Sequence, residues 1–425
     1  MKFSTKLALL LSMGVATTLT ITGCSEDKGS RIQPKEFEPI SISRSEEAYI
    51  DADNAFAYKL FYALDDRNEE TKNFIVSPFS ASITLAMAAN GASGQTLDQI
   101  LDVLGFDKQD IDGLNSFYKK MLERLPDLDN TTKISVANAL WINKKFTQST
   151  YDQFSGAMLD FYSAPITYID DITSDATRQS INKWYSDNTN GLLSGPSDGK
   201  LENETAMLFT NALYFKGFWE NNFPKEKSGQ KVFRNYDGSS SKVTMMEKDW
   251  NCRGYAADGY RALALPYGNK AYSMIIILPN NDRDLDACLK NIDPADVSTL
   301  AKDLFSFDPK LMHVLLPKFD VALEADIIPA LQDLGLTRMF LDGEAEFTGI
   351  CDTPGMYISR LNQGVRIIVD EEGTEAASYT EEKGDWLTSP GPILSTDFFV
   401  DHAFAFVIAE KSTGLPIFMG RINKL

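Results

Sequence analysis

His313 and His402 are the only imidazoles among 425 residues, and imidazole is the commonest general base in catalysis. A Ser-His-Asp or Cys-His nucleophile needs one of them held against a hydroxyl or thiol. His313 falls in an alternating strand pattern and His402 in a closing apolar segment, so both read as structural. There is no G-x-G-x-x-G, no phosphate-binding P-loop and no H-E-x-x-H. Metal-ligand spacing is missing too, and the surplus of Asp and Glu singles out no carboxylate pair. The residue types point away from an enzyme, and no catalytic residue, metal site or cofactor is expected.

A different chemistry is legible in Glu371-Glu372-Gly373-Thr374-Glu375-Ala376-Ala377-Ser378. This stretch follows a half-buried strand in which Val365, Ile367 and Val369 alternate with Arg366 and Asp370. Gly373 breaks the alternation, small residues follow, and no sustained apolar face returns before about Ser395. A loop of roughly twenty residues inside a compact domain is uncommon and usually functional. With period 2, Thr374, Ala376, Ser378, Thr380, Glu382 and Gly384 share one face. The first four are small, as a strand entering a packed sheet requires, because interiors have little spare volume. Glu382 breaks that rule. Roughly ten inserted residues at about 0.5–1.5 kcal/mol per hydrogen bond would gain an amount comparable with a domain's whole stability, about 5–15 kcal/mol.

The elements that must position this stretch appear in order along the chain. Phe56, Leu60, Phe61 and Leu64 share a helical face. Phe74-Ile75-Val76 reads as a short strand, with Ser77 as the N-cap and Pro78 in the first turn of a helix through Ala89. Ile134–Ile142 alternates as a sheet strand, and Ala176–Thr189 reads as a helix. Leu208–Trp219 is a second strand signature, Ser273–Pro279 a buried strand, and Phe398–Phe406 and Leu415–Arg421 closing strands.

Taken together, these motifs resemble the serpin family, in the family's order, over about nine-tenths of the chain. The resemblance implies an α+β fold: a single domain, 49–425, with mixed and antiparallel β-sheets, about eight to nine helices and an exposed reactive loop. It implies suicide-substrate inhibition of serine, or cysteine, proteases, in which the cleaved loop inserts into the main sheet and traps the protease covalently. Glu371 to Ser378 then form the hinge. Counting by the family's usual spacing, the cleaved bond is Leu387-Thr388, with Trp386-Leu387 as runner-up. An apolar Leu suits chymotrypsin-like or elastase-like targets. Trp219 matches a Trp beneath the loop's entry point. Ser77, Ser80 and Asn211 match a polar cluster under the sheet's centre, where the family usually adds a His. Here Gln363-Gly364 stand in place of the usual His-Lys, and Gln363 can still donate and accept. The alternative is a non-inhibitory serpin-fold binding or interaction protein at the cell surface, whose hinge would be expected to carry bulky or charged residues.

Composition adds the setting. Met1–Gly23 carries Lys2 and Lys6, then an apolar run from Leu7 to Met13, and reads as a signal peptide too short to span a membrane. Ile21-Thr22-Gly23-Cys24 resembles a bacterial lipobox, with Cys24 as the lipid-bearing residue. Residues 24–48 then read as a flexible tether, and the expected location is the cell envelope, lipid-anchored at the outer membrane or extracellular. Formal charge falls from −19 to −21 once Lys2 and Lys6 leave with the signal. So acidic a chain is a poor partner for nucleic acid or anionic lipid, and the membrane is reached only through the N-terminal lipid. Lys225, Lys227, Lys231 and Arg234 read as a solvated face. Cys252, Cys288 and Cys351 are an odd number and suggest buried thiols rather than a disulfide framework. A monomer is expected, with a target protease as its partner.

Overall fold

The computed structural model describes residues 33–68, 72–107, 110–195, 201–291, 310–374 and 396–425. In chain order the elements are α1 (Arg44–Asp65), β1 (Phe74–Val76), α2 (Pro78–Ala89), α3 (Gly94–Leu104), α4 (Ile111–Arg124), β2 (Thr132–Asn143), α5 (Asp152–Tyr162), β3 (Ile166–Ile169), α6 (Asp175–Asn188) and β4 (Met207–Phe218). There follow β5 (Gly229–Arg234), β6 (Ser240–Ala257), β7 (Tyr260–Pro266), β8 (Tyr272–Pro279), α7 (Leu285–Asn291), β9 (Lys310–Pro317), β10 (Phe319–Asp326) and α8 (Ile328–Asp333). The last are β11 (Asn362–Val369), β12 (Gly373–Thr374), β13 (Thr396–Phe399), β14 (Phe404–Glu410) and β15 (Pro416–Ile422). The expected α+β class with mixed sheets is what is found, with eight α-helices among the described residues.

Two sheets dominate. The six-stranded sheet runs β10-β11-β12-β4-β2-β3. The nine-stranded one runs β1-β15-β14-β8-β7-β6-β9-β13, with β5 added to β6. β6 is long enough to pair β7 with its second half and β5 with its first. Helix α2 supports the middle of the six-stranded sheet. Ser77 caps it by accepting from the Ser80 amide, Pro78 occupies its first turn, and every residue from Pro78 to Ala89 is buried. On β11 burial alternates residue by residue, as the period-2 reading requires, whereas β8 is buried throughout.

The tether boundary needs correction. Pro34–Leu425 forms one compact unit, and α1 begins at Arg44 under a capping box in which Ser43 and Glu46 bond each other's backbone amides. Ahead of it Ile40 is buried and its amide donates to Ser412 Oγ, while Lys35 bridges Asp127 and the Asn130 side chain. A sparsely apolar sequence thus docks through two or three residues whose partners lie far along the chain, which composition does not reveal. Cys24, the signal segment and the first part of the tether lie outside the described residues.

Candidate functional site

β4 and β11 run parallel and meet at one register pair, Gly364 with Ala212. Beyond it their ends part, and β12 lies in the mouth, antiparallel to both: Thr374 pairs Val369 on β11, while Gly373 and Thr374 pair Phe218 and Gly217 on β4. The hinge therefore already occupies the sheet for two residues. Glycine is required at the first of them, since Gly373 has φ of 153° and a Cβ there would lie 2.0 Å from the Gly217 carbonyl oxygen. Thr374 is inward, 1% exposed, as its parity demands.

An aromatic stack floors the mouth. The Thr374 hydroxyl lies 2.7 Å from that of Tyr267, and the Tyr267 ring is stacked on Trp219 at 4.5 Å and 10°. Trp219 Nε1 donates to the Asp370 carbonyl and its backbone amide donates to the Glu372 carbonyl, both at 2.9 Å. Phe223 N–H does the same for Glu371. The turn entering β12 is thus held by backbone bonds from the chain that follows β4.

Its two carboxylates are held as well. Glu371 accepts from Lys318 Nζ at 2.5 Å and Ser228 Oγ at 2.8 Å, and Glu372 from Lys225 Nζ at 2.6 Å. Burial pushes the Glu371 carboxyl up, but the Lys318 and Ser228 bonds outweigh it and leave the group below its usual range. Asp370 goes the other way. Burial raises it, and the neighbouring Glu372 and Glu371 charges add to that despite two backbone amides. Three members of the basic cluster, all largely exposed, also hold carboxylates. Lys225 pairs Glu372, Lys231 pairs Glu247, and Arg234 pairs Asp401 and Asp282. Glu247 comes from the neighbouring strand β6, but Glu372, Asp282 and Asp401 come from turns and loops far along the chain, which local sequence could not show.

Lower in the sheet lies the polar cluster. Gln363 grips the backbone of Ser77 from both sides, accepting from its N–H at 2.9 Å and donating to its carbonyl at 2.7 Å. Ser77 Oγ donates to the Ile417 carbonyl. Asn211 donates to Asn138 Oδ1 at 2.6 Å, and Asn138 passes the chain on to the Tyr162 carbonyl. Among the described residues Ser80 Oγ and Asn211 Oδ1 have no hydrogen-bond partner, although both are buried. Such groups cost about 1–3 kcal/mol each. Sequence reading missed Tyr267, Lys318 and Asn138. Of these, only Asn138 sat in a strand whose inward parity could have exposed it.

Glu375, Ala376, Ala377, Ser378, Trp386, Leu387 and Thr388 lie outside the described residues. His402 is buried between Asp401 and the Pro279 carbonyl, and His313 contacts Asp249. Neither touches a hydroxyl or thiol nucleophile in these contacts. The sequence does contain one G-x-S-x-G string, Gly195-Pro196-Ser197-Asp198-Gly199, but Leu193–Gly195 before it form no strand, which a nucleophile elbow needs. Cys252, Cys288 and Cys351 are free and buried.

The two-residue strand Gly373–Thr374 seated between β4 and β11, over an aromatic floor and a central polar cluster, points to one protein class. The chain belongs to the serpin family (serine protease inhibitor), which it matches over residues 51–425. Among its relatives are an uncharacterized serpin-like protein of Methanosarcina acetivorans, 29% identical over 95% of this chain and 95% of that one, and leukocyte elastase inhibitor A of Mus musculus, 29% identical over 87% and 98%. The solved native structure of a thermophilic serpin, tengpin, superposes with a TM-score of 0.79 at 27% identity, covering 93% of this chain and 100% of that chain.

Proposed function

We propose that this chain is a suicide-substrate inhibitor of chymotrypsin-like or elastase-like serine proteases, with Leu387-Thr388 as the cleaved bond. The seated Gly373-Thr374 carries the reading, because it fixes a register for everything behind it. If that register continued along β4 and β11, it would set Ala376 between Phe215 and Ile367, Ser378 between Leu213 and Val365, and Thr380 between Asn211 and Gln363. Small side chains would thus meet apolar neighbours. The Thr380 hydroxyl would then arrive beside the orphaned Asn211 Oδ1.

The steps follow. The protease serine attacks the Leu387 carbonyl, the Leu387–Thr388 bond breaks, and the Thr388 amine leaves with the proton. The acyl ester remains on Leu387. The freed segment then zips down the sheet, dragging the protease over fourteen residue steps, about 46 Å at roughly 3.3 Å each, before water can hydrolyse the ester. The elastase inhibitor among the relatives supports an apolar target pocket.

The test is a covalent band with such a protease that survives denaturing electrophoresis, and a released peptide beginning at Thr388, or at Leu387 for the runner-up bond. Thr374→Arg forces a cation into the packed mouth and should be cleaved without trapping. Trapping by that variant, or turnover without any band in the wild type, overturns the reading. Glu382 favours the second reading, a serpin-fold binding protein, since the register would set its carboxylate between Phe209 and Leu361. A lipid on Cys24 would place the inhibitor at the cell envelope. Unchanged detergent partitioning of Cys24→Ala would remove that part.

A further inference from the structure

A groove of about 530 Å3 opens between the start of α4, one face of α5 and the turn from α2 into α3. Its apolar lining is half-buried and comes from Ala92, Leu97, Ile111, Ala157 and Phe161. Two further lining residues, Asn90 and Asn115, exchange side-chain hydrogen bonds at 2.9 and 2.8 Å. The Tyr162 hydroxyl donates to Asn115 Oδ1 at 2.6 Å. That lock ties the end of α2 to α4 and α5, so the groove is formed before anything enters it. Small-molecule sites are usually pre-formed and apolar, with volumes of roughly 300–1,000 Å3.

Two residues of α5 that line the groove work against their own helix. Gly156 sits in its interior, and glycine is the poorest helix former after proline. No close approach demands it: a Cβ built there would meet nothing within 4 Å beyond its own helix backbone. What the glycine does is keep the groove open. One turn further on, Asp160 puts a negative charge in the last turn of α5, against the macrodipole, and that turn holds no basic residue. The positions three and four before it are Ala157 and Gly156, so no cation on the helix answers it. Residues that oppose the element holding them, with no offsetting contact in the fold, mark functional sites.

Asp160 shares the rim with Asp152 and, from α4, Asp112, and all three are exposed. Asp112 and Asp152 lie in first turns, where the macrodipole favours them. Among the described residues no hydrogen bond or ion pair reaches any of the three carboxylates. Lys119 of α4 lies over the Phe161 ring, 5.9 Å from its centroid, without pairing them. Asp152 and Asp160 are eight residues apart, about 12 Å along the helix at roughly 1.5 Å per residue. They cannot share one ion, and no group of acids, His or Cys among the described residues could hold a metal. The rim calls for separate positive charges spread along an apolar stripe.

We propose that the groove between α4 and α5 binds a linear polyamine. Its ammonium groups sit on Asp152, Asp160 and Asp112, and its polymethylene segments lie on Ala157, Leu97 and Ile111. Charge complementarity draws the ligand in, since the whole chain carries −19 and the rim adds three unpaired acids. The apolar lining separates it from a simple cation, which would gain nothing from leaving water there.

Titration calorimetry and thermal melting of the full chain with spermidine, at neutral pH and low ionic strength, test this without any protease. Wild type should bind one spermidine saturably, and its melting temperature should rise with ligand concentration. Magnesium chloride at matched ionic strength should give no such rise. Asp160→Asn should weaken binding about threefold, the size of one exposed ion pair. Gly156→Leu should fill the groove and abolish binding, while the free variant melts no lower than wild type because the added side chain has room. Glu123→Gln, on α4 but outside the groove, should bind as wild type does. Absence of saturable binding overturns the proposal, as does an equal rise with magnesium. Undiminished binding by Gly156→Leu overturns it too. Should Gly156→Leu fail to fold, equal affinities in Asp160→Asn and Glu123→Gln overturn it instead.

Discussion

The hydroxyls of Tyr267 and Thr374 lie 2.7 Å apart, inside a mouth where both residues are fully buried. Apart from its β-ladder bonds, Thr374 is held in the mouth by this side-chain contact. Tyr267→Phe keeps the ring on Trp219 and removes only the hydroxyl, leaving Thr374 Oγ1 in a dry site at a cost of about 1–3 kcal/mol. The expected outcome is faster amide exchange at Gly373 and Thr374, by tenfold or so, with unchanged exchange along β8. Unaltered exchange at the two hinge residues would show that the backbone pairing alone seats them.

Glu371 offers a pH test of the same mouth. Its folded carboxyl lies below the usual range, so its contribution is complete above the ordinary glutamate range and disappears as pH falls through the lowered folded value. Glu371→Gln breaks the Lys318 pair, and because Lys318 is 38% exposed the loss should be about 1–2 kcal/mol rather than the larger cost of a fully buried pair. The gap between wild-type and variant urea midpoints should be open at pH 7 and close progressively below about pH 4.5. Asp370 has the opposite sign and is present in both proteins, so it cancels in the comparison.

These two tests rest on contacts of very different legibility. Parity along the hinge assigned Thr374 to the inward face before any fold was known, because a period of 2 survives in local sequence. The alternation of β11 was readable for the same reason, and the Ser77-Pro78 start of α2 from its local capping chemistry. The clamps on Glu371 and Glu372 were not. Lys225 and Glu372 lie 147 residues apart and meet only because the segment after β4 folds back over the mouth. Gln363 was recognisable as able to donate and accept, but its target, the Ser77 backbone 286 residues away, is a product of how α2 underlies β11. Ile40 escaped notice because one buried residue in a polar stretch leaves no period.

A carboxylate outside the mouth gives a stability prediction. Asp53 on α1 is wholly buried, and burial raises its pKa to about 6 despite hydrogen bonds from Ser82 and Tyr118. The native state thus keeps a proton that the unfolded chain gives up near pH 4, so the charged form penalises the fold at neutral pH. Asp53→Asn should raise stability by about 1–3 kcal/mol at pH 7.5, a margin narrowed by the amide's need for an acceptor. Between pH 7.5 and pH 5 the wild type should gain stability relative to the variant, since the other titrating groups are shared. Parallel curves across that window would show that Asp53 does not titrate there.

Thr380 and Glu382 sit two residues apart on the face that the hinge register would turn inward, and they should affect insertion in opposite directions. At the register of Thr374, Thr380 reaches Asn211 and Gln363, where Asn211 Oδ1 and Ser80 Oγ have no partner among the described residues. Its hydroxyl can donate to one of them, so Thr380→Val removes a bond formed only on insertion, worth about 1 kcal/mol. Glu382 instead reaches Phe209 and Leu361, both buried, where an unpaired carboxylate is driven to take up a proton. If the loop inserts as proposed, that uptake would slow the last stretch of insertion near neutral pH, and deacylation would overtake some encounters. Wild-type inhibition should therefore consume more than one inhibitor per protease trapped. Glu382→Ala should lower that number and raise the melting temperature of the cleaved form, and Thr380→Val should do the reverse for both. Titrating one protease with the three proteins at fixed pH reads the first quantity, and calorimetry of the cleaved chains the second. Equal endpoints with equal melting would show that insertion stops before Thr380 reaches the polar cluster.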